Sequence, residues 1–341
     1  MKILITGGAG FIGSHIVEHL LKNTEWNIVI IDRLNYASNG FDRLRDINAY
    51  DDKRVTLFTH DFTKPIVDGL AQEIGLVDYI LHLGAETHVD NSIKDPKPFV
   101  MSNVVGTMNM LEFARTQKNL QKFVYFSTDE VFGPAPNGVF FKEWDRYNSG
   151  NPYSAAKAGG EELALAYANT YGVPVIITHT MNVFGERQHP EKFIPMCINK
   201  ILKEETIQIH ANKNKTRAGS RFWIHGRNVA AAILFLLNNP YKKDEFNDHV
   251  AAPKYNIVGE KELDNLTLAK QISYVLGRKL KYEMVDFHSS RPGHDLRYAL
   301  DGNKMKSIGW SLPVDFEVSL RKTILWSISN PKWLKIYGEK I

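Results

Sequence analysis

The opening stretch MKILITGGAGFIG restricts this chain more than any other. Lys2–Thr6 is a short apolar run, and Gly7, Gly10 and Gly13 follow it with the spacing G-x-x-G-x-x-G. A strand that passes through such a turn directly into a helix has a physical purpose. The glycines allow a tight turn and let backbone approach a pyrophosphate, and the helix N-terminus points its N–H groups at the anion. A glycine pattern alone is weak, but the flanking strand and helix supply the context it needs. Gly7, Gly10, Phe11, Ile12 and Gly13 are therefore expected at the phosphates of a dinucleotide.

The same rhythm continues through the first half. Apolar runs at 27–32, 55–59, 79–83, 122–127 and 173–178 read as strands, and helical patterns occupy 11–23, 97–117 and 152–171. Nearly continuous apolar strands belong to parallel sheets covered on both faces. The expected class is α/β, a doubly wound parallel sheet of Rossmann type. After residue 178 the rhythm breaks. Helical patterns at 193–203, 227–238, 266–277 and 315–328 mix with short strands near 206–210, 255–258 and 280–285. This predicts a smaller α+β substrate lobe, discontinuous in sequence. Residues 1–178 and 225–255 form the nucleotide-binding domain in this reading; 179–224 and 256–341 form the lobe.

Charge and composition exclude several functions. The 42 basic residues nearly balance 38 acidic ones and form no basic block, which argues against nucleic-acid binding. No apolar run approaches the roughly 18 residues of a membrane span, and no signal peptide is evident. A soluble cytoplasmic protein is expected. The single cysteine, Cys197, rules out an intrachain disulfide and fits a reducing compartment. His82, His88 and His179 match no zinc spacing, so no metal is expected.

Asp32 ends the second strand, 19 residues after Gly13. A carboxylate there accepts hydrogen bonds from a ribose diol and repels a 2′-phosphate, favouring NAD over NADP. Arg33 follows at once and pulls the other way, because an arginine nearby can accept that phosphate. Asn35, just past the same strand, and Asp61 and Phe62, after the third, are expected around the adenosine. Leu83 and Ala85 are expected at the end of the fourth strand.

Two further constellations carry chemistry. Tyr153 and Lys157, in NPYSAAKA, lie four apart and share a helix face. A lysine ammonium and a nicotinamide cation both favour the phenolate, so this tyrosine is expected to titrate below its ordinary value and remove a proton from a sugar hydroxyl. In FSTDEVFG, Thr128 ends a buried strand and Asp129 and Glu130 follow. Two adjacent carboxyls there are costly if buried, unless one is protonated and the other ionised.

Gly7, Gly10 and Gly13 together with Tyr153 and Lys157 resemble the extended short-chain dehydrogenase/reductases that act on nucleotide sugars. LGAETHVDNSI, STDEVFG, NPYSAAKA, HPEKFIP and RPGHDLRYALD narrow the resemblance to the dTDP-glucose and UDP-glucose 4,6-dehydratases, from residue 2 to about 333. The resemblance implies a cycle in which NAD oxidises C4 of glucose, a base removes the C5 proton, an acid protonates the departing C6 hydroxyl, and hydride returns to C6. It makes Tyr153 the C4 base assisted by Lys157, Asp129 the acid, Glu130 the C5 base and Thr128 a partner of O4. It also implies sugar-nucleotide contacts at Thr87, Asn182, Glu191, Lys192, Arg221, Asn256, Arg291 and His294, and a homodimer built from the helical runs at 97–117 and 152–171. The segment QIHANKNKTRAGSRFW departs from the family pattern: Gln208 replaces a common proline, His210 a common tyrosine, and a few residues are inserted. It flanks the nucleobase in the family, so thymine and uracil both stay open. A 4-epimerase would share the NAD, tyrosine and lysine but has no need of Asp129 and Glu130, and a non-catalytic NAD sensor would need neither tyrosine nor lysine. GDP-mannose 4,6-dehydratases typically carry serine where Asp129 stands.

Overall fold

The computed structural model describes residues 1–35, 38–246, 249–286 and 296–335. Its strands are β1 (Lys2–Thr6), β2 (Asn27–Asp32), β3 (Val55–Thr59), β4 (Tyr79–His82), β5 (Lys122–Thr128), β6 (Val175–Thr180), β7 (Asn182–Phe184), β8 (Ile207–Ala211), β9 (Ser220–His225), β10 (Asp244–Phe246), β11 (His249–Ala251), β12 (Lys254–Ile257), β13 (Glu262–Asp264) and β14 (Tyr282–Asp286). Its helices are α1 (Phe11–Asn23), α2 (Asp42–Asp46), α3 (Asp68–Ile74), α4 (Val89–Lys94), α5 (Lys97–Val100), α6 (Gly106–Thr116), α7 (Pro152–Tyr171), α8 (Phe193–Leu202), α9 (Gly226–Asn238), α10 (Asn265–Leu276), α11 (Asn303–Ser307) and α12 (Phe316–Ser329).

Seven strands form one sheet in the order β12-β6-β5-β4-β1-β2-β3, and every neighbouring pair is parallel. The chain winds outward from β1 to β3, then resumes on the other side at β4. The β1/β4 boundary is thus the topological switch point, where open α/β sheets leave a crevice at the strands' carboxyl ends. Alternation along each strand serves both faces. Ile3, Ile5, Ile28 and Ile30 pack with Ile16 of α1 and Ile233 of α9. Leu4, Val29, Ile31 and Phe123 pack with Met110 of α6 and Ala164 of α7 on the other side. That double burial is why the strands are apolar throughout.

Three departures from expectation have local causes. β6 starts at Val175, two residues later than its apolar run, because Pro174 has no N–H for the ladder of a central strand. The helix expected over 97–117 is α5 and α6 joined by a π-helical turn, Met101–Val105. The late strand β12 joins the large sheet beside β6 and carries it to Ile257. A further core unites α8, α10 and α12 around Ile198, Ile209, Leu268 and Phe316. Cys197 is fully buried there, and burial pushes its thiol up to about 12, so it has no nucleophilic character at neutral pH. The inserted segment after β8 closes on itself: Asn212 Oδ1 accepts from the amides of Thr216 at 2.8 Å and Arg217 at 3.0 Å. No helix among the described residues is long and apolar enough to cross a membrane.

Candidate active site

The glycine turn forms one wall of a pocket at the switch point. Gly7 has φ +72°, and the Gly10 amide donates to its carbonyl at 3.0 Å. A Cβ on Gly13 would stand 2.2 Å from that same oxygen, so the turn is built for glycine. Gly10 caps α1 with no side-chain hydrogen bond, leaving the first-turn amides to an anion. Asp32 is buried at the end of β2; its Oδ2 accepts from the Ala9 amide at 3.1 Å and its Oδ1 from Leu34 at 2.8 Å. Burial raises its pKa, opposed by those amides. A cradle that any Cβ would fill, beside a carboxylate with lone pairs to spare, fits a dinucleotide pyrophosphate and ribose. Asn35, Phe62, Leu83 and Ala85 line the same pocket. Asp61 does not; it lies beside it, 3.9 Å from Arg33.

The catalytic side chains converge from two elements. β5 ends in Thr128, which caps a short 3-10 turn, Asp129–Phe132. Thr128 Oγ1 donates to Asp129 Oδ1 at 3.1 Å. Asp129 is 4% exposed, and its Oδ2 has no partner among the described residues. Burial first, then the Glu130 carboxylate, raise Asp129 to about 7. α7 brings the other pair. Asn151 caps it in a reciprocal capping box with Ser154, with proline at the first turn, which starts the helix firmly and points Tyr153 and Lys157 inward. The Asn151 amide also donates to Glu130 Oε2 at 3.3 Å.

Of the two charges expected to favour the Tyr153 phenolate, Lys157 is the one the protein itself supplies. Tyr153 is not poised as a phenolate: burial, then Glu130, raise its pKa. Lys157 does not offset this, because its ammonium donates to the Phe126 carbonyl at 2.6 Å, and burial lowers it to about 7. Tyr153 rests as a phenol, and its use as a base requires added positive charge in the pocket.

Thr87, Asn182, Glu191 and Lys192 line the pocket, and Glu191 lies 3.7 Å from His88 and 3.6 Å from His189. Arg221 is placed differently. Its Nη1 donates to the carbonyls of Ser220 and Leu296; it stacks over Tyr298 and acts on Asp129 only through its charge. Asn256 is no wall of the pocket. It is fully buried in β12, and its amide donates to Phe141 and Asp301 carbonyls at 3.0 Å. Arg291 and His294 lie outside the described residues. Sequence reasoning missed Ser127, Glu86 and Gln188 as pocket residues, and Asn151 as a partner of Glu130. The capping pattern Asn-Pro was a readable signal for Asn151's backbone role; nothing local signalled the carboxylate it reaches.

The chain belongs to the family described as GDP-mannose 4,6 dehydratase, whose model matches residues 4–323. It is 35% identical to dTDP-glucose 4,6-dehydratase 1 of Escherichia coli K12, an alignment covering 98% of this chain and 94% of the relative. A low-salt glycan biosynthesis protein of Haloferax volcanii is also 35% identical, over 95% of this chain and 97% of its own length. Among solved structures, DesIV, a dTDP-glucose 4,6-dehydratase from Streptomyces venezuelae with NAD and dTDP bound, superposes with a TM-score of 0.85 at 34% identity, covering 98% of both chains. A UDP-glucose 4-epimerase from Thermus thermophilus in complex with NAD gives 0.82 at 25% identity, covering 99% of this chain and 100% of the epimerase.

Proposed function

We propose that the protein is an NAD-dependent nucleotide-sugar 4,6-dehydratase that converts dTDP-glucose to its 4-keto-6-deoxy product and water. The observation that carries this reading is Asp129, a buried carboxyl raised to about 7 beside Glu130 and in one pocket with Tyr153 and Lys157. Oxidation or epimerisation at C4 needs no such group. Gly7, Gly10, Gly13 and Asp32 hold the cofactor. Bound NAD supplies the acceptor and later donor of hydride, together with the positive charge that Tyr153 lacks. Tyr153 then takes the O4 proton, with Thr128 and Lys157 fixing the hydroxyl and the phenol. The C4 carbonyl acidifies C5–H, Glu130 removes that proton, and Asp129 delivers its own to O6 as water leaves; hydride then adds to C6 as Glu130 returns its proton to C5, and the proton gained by Tyr153 balances the one lost from Asp129. Thr87, Asn182, Glu191 and Lys192 take the sugar nucleotide. Arg221 acts on Asp129 through its charge, and Arg291 and His294 are assigned to the diphosphate and ribose by the family resemblance alone.

Product NMR from dTDP-glucose tests the class. A 4-keto-6-deoxy sugar is expected; a galactose epimer with no keto product would replace the dehydratase by an epimerase. Tyr153→Phe is expected to lower turnover by about 10²–10⁴-fold, the usual worth of a positioned acid–base group; unchanged turnover would remove the tyrosine from its role. UDP-glucose is expected to be accepted as well, because no residue of 207–217 lines the pocket among the described residues. A kcat/KM preference above about a hundredfold, roughly 2.7 kcal/mol, would contradict this.

The exposed apolar residues Ile93, Val100, Met101 and Met108 support a homodimer through α4–α6, for which sedimentation equilibrium is the check. A cytoplasmic setting accords with a single, buried cysteine.

A further inference from the structure

Arg33 lines the pocket next to Asp32. A guanidinium in that place is the usual acceptor of a 2′-phosphate. Here it is already engaged. Its Nη2 donates to Glu86 Oε1, and its Nη1 lies 3.9 Å from Asp61. The Asn35 amide donates to the same Glu86 oxygen at 3.4 Å. The Arg33 and Glu86 side chains are only 25% and 16% exposed, so solvent screens the pair incompletely.

Glu86 is held for this contact by the π-helical turn. Its amide donates to Asn103 Oδ1 at 2.9 Å, and the Asn103 amide donates back to its carbonyl at 3.0 Å. Asn103 is 1% exposed, and its own carbonyl accepts from Thr107 Oγ1 at 2.7 Å. Such turns recur at functional sites because they re-aim a side chain without ending the helix. The clamp uses only the backbone of Glu86, so the carboxylate is left to Arg33, and a side-chain substitution leaves the clamp whole.

We propose that Glu86 is a cofactor-specificity residue: by occupying Arg33 it withholds the cation that a 2′-phosphate would need. The inference rests on the reading of this pocket as the dinucleotide site. Asp32, Asp61 and Glu86 place three carboxylates about Arg33, and a 2′-phosphate adds about −1.5 to −2 charge. Asp32 repels that charge; Glu86 removes its remedy. With glutamine at position 86, Arg33 is released to form the charge-assisted fork that phosphates favour.

The test is calorimetric titration of the full-length protein with 5′-ADP and 2′,5′-ADP at fixed salt. Wild type is expected to bind 5′-ADP better. Glu86→Gln is expected to shift the ratio of the two dissociation constants toward 2′,5′-ADP by about tenfold or more, the scale of one charge-assisted hydrogen bond. Adding Arg33→Leu to that variant is expected to cancel the shift. A ratio within about twofold of wild type, with 5′-ADP binding retained, overturns the proposal. Arg33→Leu alone decides the matter independently of how Glu86→Gln folds. It is expected to leave the wild-type ratio unchanged, and a selective loss of 2′,5′-ADP binding would mean that Arg33 was never withheld. Failure of wild type to bind 5′-ADP at all is a different result, which removes the dinucleotide reading and this inference with it.

Discussion

Asp129→Asn is expected to slow loss of water by about 10²–10⁴-fold while C4 oxidation persists. The substitution keeps the shape of the side chain and removes the proton. Borohydride trapping followed by sugar analysis separates the two steps: a 4-keto hexose should accumulate where wild type yields the 4-keto-6-deoxy product. The same residue sets a pH limb. Burial and Glu130 raise Asp129 to about 7, so its acid form disappears as pH rises through that value, and elimination should slow above it. The limb should be missing in the asparagine variant. Stability runs the same way as activity. A raised carboxyl contributes stability that is complete below its ordinary value and is lost as pH rises through about 7. Above neutrality the ionised, buried Asp129 therefore costs on the order of a few kcal/mol, which asparagine does not incur. The variant should unfold no more easily than wild type at pH 8. Full dehydration by Asp129→Asn, or a variant that fails only because it unfolds, would dismiss the assigned role.

Glu161→Ala should be the most destabilising change near the site. Glu161 lies on α7 one turn beyond Lys157 and is fully buried. It accepts from Ser127 Oγ at 2.9 Å and from the Tyr147 hydroxyl, and it lies 3.1 Å from His179 and 2.9 Å from the Lys254 ammonium. Burial alone would raise its carboxyl, but His179 and Lys254 outweigh it and hold the group down to about 2. Alanine leaves the Lys254 cation, itself only 4% exposed, without its carboxylate. Breaking one side of a buried pair costs about 3–5 kcal/mol, a large share of a domain's usual margin. Urea unfolding should show it as a lower midpoint with little change in slope. Replacing Lys254 by methionine in the same protein should recover part of the loss, because the stranded charge is then gone. A cost below about 1 kcal/mol would mean that water reaches Lys254 freely. The sign with pH is that of a lowered carboxyl: the contribution is present above its ordinary value and is lost as pH falls through about 2.

The two changes act on one short stretch from opposite sides. Ser127 is anchored to Glu161, and the next residues, Thr128 and Asp129, face the pocket. The network of Glu161, His179, Lys254 and Asn256 supports the catalytic turn from beneath, and it gives Asn256 a structural place where a substrate contact was expected. β12 carries both Lys254 and Asn256, so a strand added late in the chain completes the support for residues near the end of β5.

Local sequence was enough wherever a short-range rule applied. The glycine spacing between β1 and α1, the apolar strands, the four-residue interval of Tyr153 and Lys157, and the adjacent Asp129 and Glu130 are all properties of neighbours along the chain. Backbone sterics and helical or pleated periodicity act over that range, so these features could be read without a fold. The tertiary structure decided what depends on partners far apart in sequence. It set the protonation of Asp129 and Tyr153, since burial and facing charges, not residue type, shift a titration. It seated Asn256 in the sheet, occupied Arg33 with Glu86, 53 residues away, and joined Lys254 to Glu161. Which charge is buried, and beside which other, is fixed only when distant segments pack; residue identity along the chain names the reacting groups, and packing determines which of them hold their protons.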